Sequence, residues 1–214
     1  TAGTITSETK ANSFMSVVVM PTMVGATVGH GLTKAPELIL TKSRTNGGRS
    51  WYSYSKPTTA NGHLFLDTTA AYTTSAIWSN TEPTTSVFSI NIAAESAVAY
   101  CFTSVEGLCK VGSYTGTGVA GNAVDCGFEP AWVMVKRTDS ADNWYIFDNQ
   151  RTNGSYPLFP DLTNAEQTTT DQVDFTSDGF TLVSTYPNVS GGEYIYLAIA
   201  KNTPEDLRIK ETFE

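Results

Sequence analysis

Apolar residues fall in short runs, rich in β-branched and aromatic side chains, and turn residues bound each run. That pattern predicts strands. In the first half they lie at 16–20, 37–42, 51–54, 63–67, 87–92 and 97–103, separated by Thr45-Asn46-Gly47-Gly48, Ala60-Asn61-Gly62 and Asn80-Thr81-Glu82-Pro83. In the second they lie at 131–136, 144–147, 179–184 and 193–200, with turns at Asn153-Gly154 and Ser190-Gly191-Gly192. Helical periodicity is nearly absent. The Ala-rich stretch 93–99 carries Glu95-Ser96 before Val98 and reads as a turn leading into a strand. Many short strands with regular turn signals predict an all-β, sandwich-type fold, jelly-roll or lectin-like.

The pattern also repeats itself. Pro36 and Lys42 match Pro130 and Lys136 at a spacing of 94 residues, and Trp51-Tyr52-Ser53-Tyr54 matches Trp144-Tyr145-Ile146-Phe147 at 93. Leu64-Phe65 matches Leu158-Phe159, Thr73-Thr74-Ser75 matches Thr168-Thr169-Thr170, and Val98 to Phe102 corresponds to Ile195 to Ile199. Order is kept throughout. Self-similarity of this kind predicts two homologous tandem β-sandwich units related by internal duplication. The expected division is a connector at 1–12 from a longer fibre-like chain, a first repeat at 13–110, a second at 111–202 and an acidic tail at 203–214, which is either loose or one helical turn. Within each repeat, proline marks the first residue of a strand because it has no N–H to pair. The run Trp132-Val133-Met134-Val135 predicts a central strand covered on both faces. The closing Lys136 is expected to return the chain to solvent, and Gly31 and Gly127 to adopt positive φ where the backbone bends.

Composition narrows the function. Of 214 residues, 51 are Ser or Thr and 16% are charged, so hydroxyls carry much of the surface polarity. A net charge of −8 argues against duplex nucleic acid and anionic membrane surfaces as partners, since both need clustered Lys and Arg. No apolar run is long enough for a spanning helix, which needs about 18 residues, so no membrane insertion is expected. Cys101, Cys109 and Cys126 are odd in number and lack zinc-site spacing, which predicts small buried hydrophobes and no metal.

Side chains for catalysis are sparse. The only histidines are His30 and His63, and His30 aligns with Cys126 in the repeat. A pair of Cys109 or Cys126 with His63 has no local motif behind it. Asp139-Ser140-Ala141-Asp142-Asn143 groups oxygen side chains but lacks the glycine and distal Glu of a calcium loop. No catalytic residues and no cofactor are predicted. Aromatic residues, 11% of the chain, are the better lead. Neighbours in a strand point to opposite faces, so one member of Trp51-Tyr52 and of Trp144-Tyr145 is expected outward. The outward rings would form a platform for a sugar, with Arg44, Asn46 and Arg49 or Asp142, Asn143 and Asp148 binding its hydroxyls. Trp78 is a separate exposed-aromatic candidate. The alternative is that the tryptophans are buried core.

The strings Thr27-Val28-Gly29-His30-Gly31-Leu32, Ala35-Pro36-Glu37-Leu38-Ile39, Ala99-Tyr100-Cys101-Phe102, Gly112-Ser113-Tyr114-Thr115-Gly116-Thr117-Gly118 and Gly127-Phe128-Glu129-Pro130-Ala131-Trp132-Val133 resemble a duplicated β-domain family of unknown function, found in tailed-phage, often marine, tail-fibre and virion-surface proteins. The resemblance runs from about residue 3 to residue 200. It implies a non-enzymatic module of a virion surface, made in the host cytoplasm, at the outer part of a tail fibre and binding a host-surface glycan. It also implies a homo-oligomer, trimeric by fibre symmetry, in contact with other virion proteins. The alternatives are a ligand-free fibre, capsid or decoration protein, and a polysaccharide depolymerase.

Overall fold

The structure is a computed structural model that describes residues 2–151, 155–166, 168 and 171–201. The expected turn at Asn153-Gly154, most of Thr168-Thr169-Thr170 and the tail at 203–214 lie outside the described residues. The first half contributes β1 (Glu8–Ala11), β2 (Met15–Met20), β3 (Ala26–Gly29), β4 (Leu38–Ser43), β5 (Tyr52–Ser55), β6 (Gly62–Phe65), β7 (Thr73–Thr74), β8 (Val87–Ile90) and β9 (Ala97–Phe102). The second contributes β10 (Cys109–Thr115), β11 (Asn122–Asp125), β12 (Pro130–Arg137), β13 (Trp144–Asp148), β14 (Val173–Phe175), β15 (Gly179–Leu182) and β16 (Glu193–Ala200). Among the described residues there is no α-helix, only a 3-10 turn at Lys56–Thr58. The fold is all-β and sandwich-like.

Among the described residues four sheets form, ordered β1-β2-β9-β4-β5-β6-β7, β10-β16-β12-β13, β11-β15-β14 and β3-β8. The core divides accordingly. One cluster, with Val18, Ile39, Tyr54, Val28 and Phe88, lies between the seven-stranded sheet and β3-β8. A second, with Val133, Phe147, Val124, Phe180 and Tyr196, lies between the four-stranded sheet and β11-β15-β14. The third joins Leu38, Leu40 and Leu64 of the first half to Met134, Trp144, Ile195 and Leu197 of the second. Strand alternation produces this layering, since Ile39 faces one way and Leu38 and Leu40 the other. Each fully buried side chain of this size contributes roughly 1.5–3 kcal/mol. The shared third layer therefore joins the two halves into one body.

Pairing registers correspond between the halves. Leu38 faces Phe102 and Leu40 faces Tyr100 across β4–β9; Trp132 faces Ile199 and Met134 faces Leu197 across β12–β16. Ile39 opposite Tyr54 has its counterpart in Val133 opposite Phe147, and Val28 opposite Phe88 in Val124 opposite Phe180. Gly31 and Gly127 adopt φ of +74° and +79°, and Pro130 opens β12, as expected.

The outer edges differ. β2 is covered by β1, with Glu8 opposite Val19 and Lys10 opposite Val17. On β10 the cover is the chain's own turn, where Val105 bridges Cys109 and the Val111 N–H donates to Ser104 Oγ at 3.0 Å.

One expectation fails outright. Lys136 does not return the chain to solvent: it is fully buried, and its Nζ donates to Thr69 O at 3.0 Å and Asp142 O at 2.6 Å. Its counterpart Lys42 reaches the carbonyls of Gly47 and Arg49. Both lysines thus tie down the hairpin that follows their strand.

Candidate functional site

The paired aromatics project into the interior. Trp144, 1% exposed, lies in the layer shared by the halves and donates from Nε1 to Phe65 O at 2.8 Å. Trp51 is half-buried against the same layer, with its ring centroid 6.1 Å from that of Tyr100. Their backbone N–H groups donate to equivalent carboxylates, Trp51 to Asp67 at 3.2 Å and Trp144 to Asp161 at 3.1 Å. Tyr52 and Tyr145 do point to the opposite face, as alternation requires, but that face is covered by the outer layer. Trp78 is 2% exposed, with its ring against Tyr54 and Phe88. The flat platform expected from the outward members of Trp51-Tyr52 and Trp144-Tyr145 is therefore not formed, because both faces of those strands meet another layer, and Trp78 is buried rather than exposed.

Helper residues have fates of their own. Arg49 is bound to Glu95, with Nε to Oε2 at 2.7 Å, which raises the guanidinium pKa and holds the carboxyl down at about 2. Asp148 pairs with Arg151 at 2.6 Å; burial pushes its pKa up, but the Arg151 contacts outweigh this and lower it. Asp142 Oδ1 accepts from the Tyr145 hydroxyl at 2.8 Å. Asp139 is held at about 2 by Arg137.

Buried thiols and imidazoles are equally occupied. Desolvation raises Cys109 and Cys126 to about 12, and the two lie in different core clusters. His30 Nδ1 accepts from the Leu32 N–H at 3.1 Å, so its Nε2 donates to Thr84 O, also at 3.1 Å. His63 Nδ1 meets Ser75 Oγ at 2.8 Å, and burial lowers its pKa. A thiol that stays protonated is a poor nucleophile.

Of the expected site residues, Asn143 and Tyr145 come together at one surface concavity of about 280 Å³. Its wall is completed by Phe159, Gln172 and the 184–186 stretch of the β15–β16 loop, which ends on Tyr186. Tyr186 is 52% exposed and was not singled out from the sequence. Another cleft, of about 340 Å³, opens where the halves meet, beside Pro57, Tyr72, Asp139 and Glu193.

An all-β layered body, with many of its polar side chains engaged in structural contacts and with partly polar concavities at its surface, is the class these observations define. The chain belongs to the family described as a domain of unknown function, DUF7483, which matches residues 1–203. No curated protein and no solved structure matches the chain.

Proposed function

We propose that this protein is a non-catalytic structural and attachment module of a tailed-phage virion, at the outer part of a tail fibre or similar appendage, built from two copies of one β-sandwich unit. The carrying observation is that several of the side chains able to do chemistry are engaged in holding strands together. The thiols are buried and protonated, the imidazoles are hydrogen-bonded, and the acidic groups Glu95, Asp139 and Asp148 are paired with arginine. Duplication is supported by the matched registers and by two repeated devices: the lysine that binds its hairpin carbonyls and the carboxylate beneath each tryptophan N–H. The sequence strings quoted above support the appendage reading. In that role the module works as a symmetric homo-oligomer, a trimer, in contact with other virion proteins.

Burial of Trp78 and Trp144 favours a second reading, a ligand-free fibre, capsid or decoration protein. Gold-labelled antibody against the chain, applied to purified particles, separates the readings. Label at the tips of tail appendages is expected; label over the capsid favours the decoration role, and unlabelled particles overturn both. Incubation with host polysaccharide is expected to release no reducing ends. Release that scales with protein concentration would make the protein a depolymerase.

A further inference from the structure

We infer that the concavity beneath the β15–β16 loop binds one ring of a neutral saccharide. This rests on the attachment role and supplies its ligand class. The two halves differ most at this corner. Between β8 and β9 the connection spans 91–96, whereas between β15 and β16 it spans 183–192. In the first half the corner is closed by the Arg49–Glu95 ion pair. In the second, Asp142 stands at the position of Arg49 and accepts from the Tyr145 hydroxyl, and the ion pair is made instead by Arg137 and Asp139, further along toward β16.

What lines the opening is polar but uncharged. Asn143 and Thr185 bring an amide and a hydroxyl to its rim beside the exposed Tyr186 ring, while buried Tyr145, Phe159 and Gln172 form its floor and Ser184 Oγ is hydrogen-bonded to the Tyr186 backbone. The Asn143 carboxamide has no hydrogen-bond partner among the described residues, and Tyr186 is their most exposed aromatic ring. Uncharged donors and acceptors beside aromatic faces match a sugar ring, which has C–H faces and hydroxyl edges. No lining side chain carries a charge to recognise a phosphate or carboxylate. About 280 Å³ holds a single ring.

The loop is held in place before any ligand arrives. Asn188, fully buried, donates from Nδ2 to Val119 O at 2.8 Å and accepts at Oδ1 from the Thr117 N–H at 2.9 Å. Tyr114 OH donates to Pro187 O at 2.6 Å, and the Val189 N–H donates to Tyr194 OH at 3.1 Å. A pre-formed loop lowers the ordering cost of binding.

Saturation-transfer NMR on the full chain with glucose, galactose, mannose and N-acetylglucosamine tests this. At least one sugar is expected to receive saturation, with a dissociation constant on the order of 1 mM. Tyr186→Ala is expected to weaken binding about tenfold and Asn143→Ala about fivefold, while Val24→Ala on the first half leaves it unchanged. Near-UV circular dichroism confirms that each variant is folded. No saturation transfer to any of the four sugars, or retention of binding in both site variants, would overturn the site. The assay uses the isolated chain, so its failure leaves the antibody-labelling result standing, and sugar binding by a chain absent from particles would defeat the virion reading alone.

Discussion

The two halves fill equivalent positions with opposite distributions of volume. Across β2–β9, Val18 faces Ala99 and Met20 faces Ala97, so the bulk sits on the edge-side strand. Across β10–β16, Gly112 faces Tyr196, and Tyr114 faces Tyr194 with ring centroids 4.9 Å apart and nearly parallel. A Cβ on Gly112 would meet the Tyr196 ring at 2.6 Å. Glycine there is required by close approach. The register holds while the larger side chain changes strand at the Val18–Ala99 and Gly112–Tyr196 positions; at the next pair, Tyr114 and Tyr194 are large on both strands. Matched registers with swapped side chains also explain why a simple residue comparison understates the likeness of the halves.

Three experiments sharpen or break this comparison. The largest effect is expected at the tryptophans. Trp144→Ala removes a fully buried ring and its hydrogen bond to Phe65 and is expected to cost about 3–5 kcal/mol in urea unfolding. Trp51→Ala, at the equivalent but half-buried position, is expected to cost less than half as much. Equal losses would mean that the shared layer does not distinguish the halves. Next comes Gly112→Val, which installs the first half's residue opposite Tyr196 and is expected to destabilise by about 1–3 kcal/mol. Adding Tyr196→Ala recreates the Val18–Ala99 pair, and the double variant is expected to be more stable than the sum of the two single losses. Strict additivity would break the compensation argument.

The smallest effect distinguishes the lysines. Desolvation pulls Lys136 down from 10.5 to about 8, an effect partly offset by the nearby Asp142 and Asp161 carboxylates. Between these values the folded chain holds fewer protons than the unfolded one, so this group adds stability as pH rises and costs stability below about 8. The contribution is on the order of 1 kcal/mol per pH unit within that window. Urea midpoints from pH 7.5 to 9.5 are expected to show the difference between wild type and Lys136→Met growing in favour of wild type with pH. Lys42→Met is expected to leave the wild-type slope in place, and parallel curves for Lys136→Met would refute the assignment.

Much of the strand framework was legible in the sequence because its signals are local. The Pro130 start, the apolar run of β12 and the glycines at 31 and 127 depend on the backbone nearby, whereas Pro36 lies two residues before β4. β10 was missed because Lys110 and Gly112 interrupt its pattern, and the glycine is explained only by Tyr196, which is distant in sequence. β1 was missed because all four of its residues are exposed and polar or small. The burial of Lys136 depends on Thr69 from the other half, and the covering of the tryptophans depends on a layer that pattern reading does not see. Candidate-site legibility was partial. Asn143 and Tyr145 were named, but Tyr186 was overlooked, although the β15–β16 connection that carries it is longer than the β8–β9 connection.

The cover over β2 has a consequence of its own. It is a four-residue ribbon, wholly solvent-facing, held by its pairing to Ser16–Val19 and by contacts of residues 3–7 with the β3 region. Clipping the chain before Asn12 would bare a valine-rich rim whose amides seek new company. Such shortened molecules should stick edge to edge.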